Sequence, residues 1–487
     1  MLRQFLRIME ISIVLNDDSF EYDVYGLVKA FYPKAGVKRA EKAGDNFVSV
    51  IIDGKISVKA QIEGTGKSAD CPVCTDNISE EDGRKNNKNI LKRLLYGALC
   101  EITGQKLPWG TLTGIRPTKI PTRLIEEGKT DDEISGYMKE TYLCSDEKTR
   151  LSIDIAHKEQ KLLNTIDYEN GYSLYIGIPF CPTTCLYCSF STFPMAIWAD
   201  KTDAYLDALE KEMAATGPYL KDATLQTVYI GGGTPTSLNA GQLSRLLEMT
   251  EKYFDTSKVK EWTVEAGRPD SLDEEKLRII KESRANRISI NPQTMNDDTL
   301  KLIGRCHSAK ETKEKFNLAR KLGIDNINMD IILGLPGEDE GKVLVTLEEI
   351  KKMAPDSLTM HSLALKRAAR LNKYKDIYLE EKCDADKAME MARAAAKEMG
   401  MEPYYLYRQK NMTGNLENIG FARAEKEGLY NILIMEEKQN ILALGAGSVS
   451  KITGRGKKQR IQNVKDVNFY IERIDGMIEK KQDFLLK

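Results

Sequence analysis

The sequence predicts an α/β fold. Six parallel βαβ units are expected within residues 166–400, after a separate α+β region over 1–165 and before an extension over 401–487. Three observations carry this. From Tyr172 onward short apolar runs alternate with longer amphipathic ones, the pattern of parallel strands joined by helices. Polar residues recur at the ends of those runs, where an open doubly wound sheet or a partial barrel carries its chemistry. The length, 487 residues, exceeds one ordinary core and fits two to four domains at about 100–200 residues each.

The first region opens with strand-like segments at 11–15, 47–53 and 56–62, and Asp53-Gly54 between β-rich runs is a hairpin signal. A polar stretch over 64–89 follows, then a helical pattern over 90–102 and a Gly/Pro-punctuated loop over 107–118. In the second region the expected strands are 173–178, 227–230, 262–266, 287–290, 327–333 and 357–362. The expected helices are 202–215, 241–254, 273–283, 309–322 and 340–353. Beyond 401 the pattern is less regular. It contains the aromatic run Tyr404-Tyr405-Leu406-Tyr407-Arg408, a segment 414–418, and the small-residue run 444–448.

Charge narrows the function. Lys+Arg (72) and Asp+Glu (73) balance to a net charge of −1, which argues against nucleic acid or an anionic membrane as partner. A local basic pocket for a carboxylate-bearing substrate stays open. No apolar run reaches the roughly 18 residues of a membrane span. Arg7 and Glu10 interrupt the apolar start and no small-residue cleavage site follows, so no signal peptide is expected. The expectation is a cytoplasmic protein, monomeric by default, whose nine cysteines are thiols or metal ligands rather than a disulfide framework.

The central motif is Cys181-Pro-Thr-Thr-Cys185-Leu-Tyr-Cys188. Three thiolates within eight residues can take three corners of a cubane 4Fe–4S cluster, and ligation by three rather than four cysteines leaves one iron open. A zinc site would want a fourth Cys or His at a characteristic spacing, and none lies within the next hundred residues.

The extended form, Tyr175-Ile-Gly-Ile-Pro-Phe-Cys181-x-x-x-Cys185-x-x-Cys188, resembles the signature of the radical S-adenosylmethionine (SAM) enzymes. In particular it is similar to the oxygen-independent coproporphyrinogen III dehydrogenases (oxidases) and the related haem chaperones. The resemblance runs from about Tyr172 to Lys451 and implies a radical SAM partial (β/α)6 barrel. It implies that Cys181, Cys185 and Cys188 hold a 4Fe–4S cluster whose open iron chelates SAM. It further implies a 5′-deoxyadenosyl radical that takes a hydrogen from a propionate β-carbon. The reaction would be oxidative decarboxylation of coproporphyrinogen III to protoporphyrinogen IX. A porphyrinogen substrate, an electron donor and an electron acceptor are the partners so implied.

The same resemblance assigns SAM contacts. Gly232, Gly233 and Thr234 lie in Tyr229-Ile-Gly-Gly-Gly-Thr-Pro-Thr236, where glycines at a strand end let backbone amides approach a ligand. Glu265 ends a strand. Gln293 closes Asn286–Gln293, and Arg305 lies twelve residues beyond it, suited to a bidentate carboxylate fork. Asp330 sits inside the apolar strand 327–333, where an unpaired charge is costly. Tyr175, Tyr187 and Ala364 complete the expected set, with His361 on the last strand beside it. For each of these the plain alternatives are a Gly-rich turn, a salt bridge or a core residue.

Two positions depart from the dehydrogenase pattern. Gly177 stands where a His is usual, and Phe190 where a fourth Cys is usual; the Phe form is shared with the haem chaperone branch. The segment 404–418 instead resembles an anaerobic dehydrogenase-like branch. The competing readings are therefore a haem chaperone without decarboxylation and, less in keeping with the charge balance, a nucleic-acid-binding protein with a structural cluster. Cys71-Pro-Val-Cys74 is a lone C-x-x-C, read as redox-active or incidental. Cys100, Cys144 and Cys306 read as small buried residues and Cys383 as inert.

Overall fold

The computed structural model describes residues 9–73, 79–114, 116–364, 371, 383–408, 416–453 and 459–485. The chain forms two compact units: one of residues 1–157 with 408–417, the other of 158–407 with 418–487.

The first unit is built on a five-stranded sheet of β1 (Glu10–Leu15), β2 (Gly36–Arg39), β3 (Phe47–Asp53), β4 (Lys55–Ile62) and β5 (Thr65–Pro72), in the order β2-β1-β3-β4-β5. The Asp53-Gly54 signal is realised as the β3–β4 hairpin, with Asp53 opposite Lys55 and Gly54 at φ +62°. Alternate residues Ile11, Ile13, Val48, Val50, Ile56, Val58, Ala60 and Ile62 are buried with Val24, Leu27, Leu91, Leu95 and Leu99 from the helices Glu21–Phe31 and Glu80–Thr103. The stretch 64–89, polar in sequence, holds both β5 and the start of that second helix. β5 has no apolar alternation because it is a largely exposed edge strand. The helix starts ten residues before its apolar pattern, capped by the Ser79 side chain accepting from Asp82 N.

The second unit contains the parallel sheet. Its strands are β6 (Gly171–Ile178), β9 (Thr224–Gly232), β10 (Glu261–Glu265), β11 (Arg287–Ser289), β12 (Ile327–Leu333) and β13 (Ser357–Ser362), with the two-residue β7 (Phe180–Cys181) and β8 (Phe193–Pro194) paired beside them. All six expected strands are present. A seventh parallel strand, β16 (Asn440–Leu444), pairs with β6. The later segments β14 (Glu402–Tyr407) and β15 (Asn418–Ala422) extend one edge antiparallel, and β17 (Val449–Ile452) and β18 (Gln459–Gln462) extend the other. Among the described residues the order is β14-β15-β13-β12-β11-β10-β9-β6-β16-β17-β18.

Parallel strands covered on both faces are usually apolar throughout. These are not. In register, Tyr175 stands beside Tyr229, Tyr229 beside Thr263, and Thr263 beside Arg287. Glu265 stands beside Ser289, Ser289 beside Asn328, Asn328 beside Ser357, and Asp330 beside Thr359. Side chains alternate faces along a strand, so these polar groups share one face. Leu174, Ile176, Val228, Ile230, Trp262, Val264, Ile288, Met329, Ile331, Leu358 and Met360 share the other and are fully buried. One face is thus a packed core and the opposite face a polar lining.

The helices follow local rules. Ala240–Tyr253 opens with a capping box of Asn239 and Gln242, and Ala309–Lys321 with one of Ser308 and Glu311. Both begin directly after loops that reach the candidate site.

Candidate functional site

The carboxyl ends of the strands converge on the cysteine loop. Cys181 leaves β6 by way of β7; Cys181 and Cys185 are each 8% exposed and Cys188 is partly buried. The loop carries almost no regular structure, so its shape comes from its neighbours. On one side Gly233 N donates to Ile178 O at 2.8 Å and Thr234 N to Phe180 O at 2.7 Å. On the other, Leu186 N donates to Ile303 O at 2.9 Å and Thr183 Oγ1 to Gly304 O at 3.1 Å. Thr234 Oγ1 lies 3.5 Å from Cys181 Sγ.

Two glycines here are required by geometry. Gly232 takes φ +106°, a left-handed conformation that side chains rarely adopt. A Cβ on Gly233 would stand 2.5 Å from Phe180 O and 2.9 Å from Ile178 O, both backbone atoms.

Glu265, at the end of β10, accepts from Tyr229 Oη and, at 3.2 Å, from Gly232 N. Burial pushes its carboxyl up to about 7 against the pull of these donors. Tyr229 belongs to a mutually stacked trio with Tyr175 (6.1 Å between centroids) and Tyr430 (4.6 Å), which themselves lie 6.3 Å apart. Asp330 is held by Asn328 Nδ2 at 2.7 Å and faces His361 Nε2 at 3.7 Å. Burial alone would raise its carboxyl; His361, Asn328 and Thr359 together outweigh that and hold it below the ordinary carboxylate value.

Gln293 is the residue most out of the ordinary. It takes φ +67°, unusual for a side-chain-bearing residue, and its Oε1 is buried with no hydrogen-bond partner. Asn291 Oδ1 and Arg305 Nε are orphaned in the same way. Arg305 Nη1 donates to Asn291 O at 2.5 Å, so its fork is fixed beside the loop of Gln293. Buried polar atoms without partners are costly, and here they cluster where sequence reading expects SAM.

The structure therefore brings most of the expected residues to one end of the sheet. Tyr187 packs against Leu300, Ile303, Ile332, Leu335 and Leu363 and lies beside Arg305 and Cys185. Ala364 lies two residues beyond β13, immediately before residues outside the described set. Cys306 is exposed, not buried as expected, because the inward direction of its loop is taken by Arg305 and His307, which are 7% and 4% exposed. Cys144 is buried and Cys100 partly so. Residue 74, and residues 409–415 of the 404–418 segment, lie outside the described residues. Sequence reading missed Arg268 and Tyr430. Arg268 donates to Cys185 Sγ at 3.5 Å, and its signal is faint: a cation three residues past a strand-ending carboxylate.

The three thiols suit an iron–sulfur cluster better than nucleophilic catalysis. A reactive cysteine needs a lowered thiol pKa, whereas burial pushes Cys181 up to about 12; a bound metal would supply the charge that makes it a thiolate. Among the described residues no three His, Cys, Asp or Glu side chains converge to hold one metal ion. A cubane places each thiolate on a different iron, so its ligands need not converge on a point. No described helix is long and apolar enough to cross a membrane.

Comparison with known proteins gives the family and the fold. The radical SAM superfamily model matches residues 175–350. Along 98% of both chains the sequence is 38% identical to the oxygen-independent coproporphyrinogen-III oxidase-like protein HemZ of Bacillus subtilis. It is 33% identical to the haem chaperone HemW of the same organism, over 62% of this chain and 76% of that one. The solved structure of coproporphyrinogen III oxidase (HemN) from Escherichia coli shares the fold, with TM-score 0.53 and 23% identity over 66% of this chain and 73% of that one.

Proposed function

The chain belongs to the radical SAM family of coproporphyrinogen oxidases and their relatives in haem metabolism, and we propose that within it the chain oxidatively decarboxylates coproporphyrinogen III to protoporphyrinogen IX. The observation that carries this reading is the match over 98% of both chains to a coproporphyrinogen oxidase-like protein. The match to the haem chaperone leaves more than a third of this chain uncovered.

On this reading Cys181, Cys185 and Cys188 hold three irons of a 4Fe–4S cluster. Bound together, the cluster and SAM supply one-electron cleavage of SAM and removal of a hydrogen atom from the substrate. The protein supplies position and exclusion. Gly233 and Thr234 fix the cysteine loop through their amides. Glu265, with an elevated pKa, can accept or give a hydrogen bond to an amino group at the strand ends. Gln293 Oε1 and Asn291 Oδ1 offer unspent acceptors, and Arg305 a fixed cation for a carboxylate.

A second reading, a haem chaperone without decarboxylation, is favoured by Phe190, which is 69% exposed where the dehydrogenase pattern has a cysteine. The test is an anaerobic assay of the reconstituted chain with dithionite, SAM and coproporphyrinogen III. Formation of 5′-deoxyadenosine together with protoporphyrinogen is expected. Deoxyadenosine alone would point to another substrate. Neither product, with an intact cluster, would overturn the dehydrogenase reading in favour of stoichiometric haem binding.

A further inference from the structure

Behind the cysteine loop stands a buried charge that the proposed function leaves unused. Arg268 is 3% exposed. Its Nε and Nη2 fork onto Asp270, at 2.9 Å to Oδ1 and 2.7 Å to Oδ2. Nη2 also donates to Thr183 Oγ1 at 3.0 Å, and Nη1 to Thr183 O at 3.2 Å. The remaining direction of Nη1 is aimed at Cys185 Sγ, 3.5 Å away. Asp270 has His307 behind it, with Nδ1 3.8 Å from Oδ1, beyond hydrogen-bond reach. Both ring nitrogens of His307 are buried without a partner.

A brace for the loop needs only the two bonds to Thr183. The contact with sulfur is additional, and it orients the ion pair: guanidinium on the cysteine side, carboxylate behind. Burying such a pair is expensive, and a well-packed apolar pair would serve stability as well or better. The orientation has an electrical consequence. Reduction adds one electron to a cluster, and that charge spreads onto its sulfurs. A hydrogen bond to a ligating sulfur and a fixed cation beside it both favour the reduced state.

We propose that Arg268, oriented by Asp270, is a positioning residue that raises the reduction potential of a cluster held by Cys181, Cys185 and Cys188. This rests on the reading of those cysteines as cluster ligands. The electron comes from an external one-electron reductant, and no bond is made or broken in the protein.

The experiment is a potentiometric titration of the full reconstituted chain, without SAM, followed by the electron paramagnetic resonance signal of the reduced cluster. Iron and sulfide content are measured in parallel. Arg268→Gln should shift the midpoint to more negative potential at unchanged iron content. Arg268→Lys, which keeps the charge and loses the fork, should fall between. Asp270→Asn removes the compensating carboxylate and should shift the midpoint the opposite way. A purely structural role predicts no such order of signs. A midpoint in Arg268→Gln equal to or above that of the unsubstituted chain would overturn the proposal. So would equal shifts in the Gln and Lys variants, or loss of the cluster from both the Gln and Asn variants, which would make the pair a brace. Failure of the unsubstituted chain to take up a cluster would instead defeat the reading of the cysteines, and this inference with it.

Discussion

Replacing Gly233 by alanine tests whether the glycine loop and the cysteine loop are one unit. The added Cβ would lie 2.5 Å from Phe180 O, 2.8 Å from Pro179 C and 2.9 Å from Ile178 O. Real Cβ atoms essentially never come within 3.0 Å of such neighbours, so one loop must retreat by at least about 0.5 Å. All three obstacles are backbone, so no side chain can rotate away. The retreat lengthens the bonds from Gly233 N to Ile178 O and from Thr234 N to Phe180 O, now 2.8 and 2.7 Å. Overpacking of this kind costs about 1–3 kcal/mol. If SAM binding requires the undistorted loop, the affinity falls by roughly 5–150-fold. Equilibrium dialysis of SAM against the reconstituted chain measures this, and thermal denaturation of the apo chain measures the stability loss. Gly241→Ala is the control: its Cβ meets only Asn239 Oδ1, at 3.6 Å. If Gly233→Ala binds SAM within twofold of the unsubstituted chain and melts at the same temperature, the coupling argument is wrong.

In the free protein Glu265 should make stability pH-dependent. Its folded pKa, about 7, lies above the ordinary carboxylate value because of burial. The folded state therefore binds the proton more tightly, and the contribution is fully present at low pH and lost as pH rises through 7. Between pH 5 and pH 8 the unsubstituted chain should lose up to about 3 kcal/mol more than Glu265→Gln; parallel urea curves at both pH values would contradict this. In the first unit, Glu417 is fully buried between Lys148 Nζ at 2.6 Å and Trp109 Nε1 at 2.7 Å. Among the described residues, Glu417→Leu leaves buried Lys148 with the exposed Glu147 as its ion-pair partner, at a cost of about 3–5 kcal/mol. Lys148→Met added to it should restore much of that, read from urea denaturation by tryptophan fluorescence. Cys185→Ser should abolish iron and sulfide retention after reconstitution while Cys383→Ser leaves both unchanged; equal retention would remove Cys185 from the ligand set.

The parallel sheet was legible because its strands and helices differ in period over long stretches, from β6 to β13. The seventh strand was not. Asn440–Leu444 is a five-residue run whose partner β6 lies some 270 residues earlier, and no local pattern announces a pairing at that distance. β5 escaped for the opposite reason, having no buried face to impose alternation. At the site, spacing singled out the three cysteines, while Gly232–Thr234 and Gln293 were singled out by resemblance to a known family; both Gly232 and Gln293 take a positive φ that strand periodicity does not announce. Arg268 was invisible because a charge before Pro269-Asp270 reads as a solvated turn. Only the fold reveals that the turn lies against Cys185, 83 positions earlier in the chain.

The polar face of the sheet explains why the cysteine loop needs so many anchors. A strand end that contributed its own hydrogen bonds to a ladder would be held by the sheet. Residues 182–192 have no such ladder, and their apolar packing comes from Leu186 and Tyr187 against Leu300, Ile303 and Leu335. Order must therefore come from discrete contacts: Gly233 and Thr234 after β9, Arg268 after β10, Ile303 and Gly304 beyond β11. Each lies on a loop following a different strand of the same sheet, so the cysteines are positioned by the sheet as a whole. It follows that the positions of the cysteines depend on all three loops together, which separates this architecture from one in which the loop orders itself.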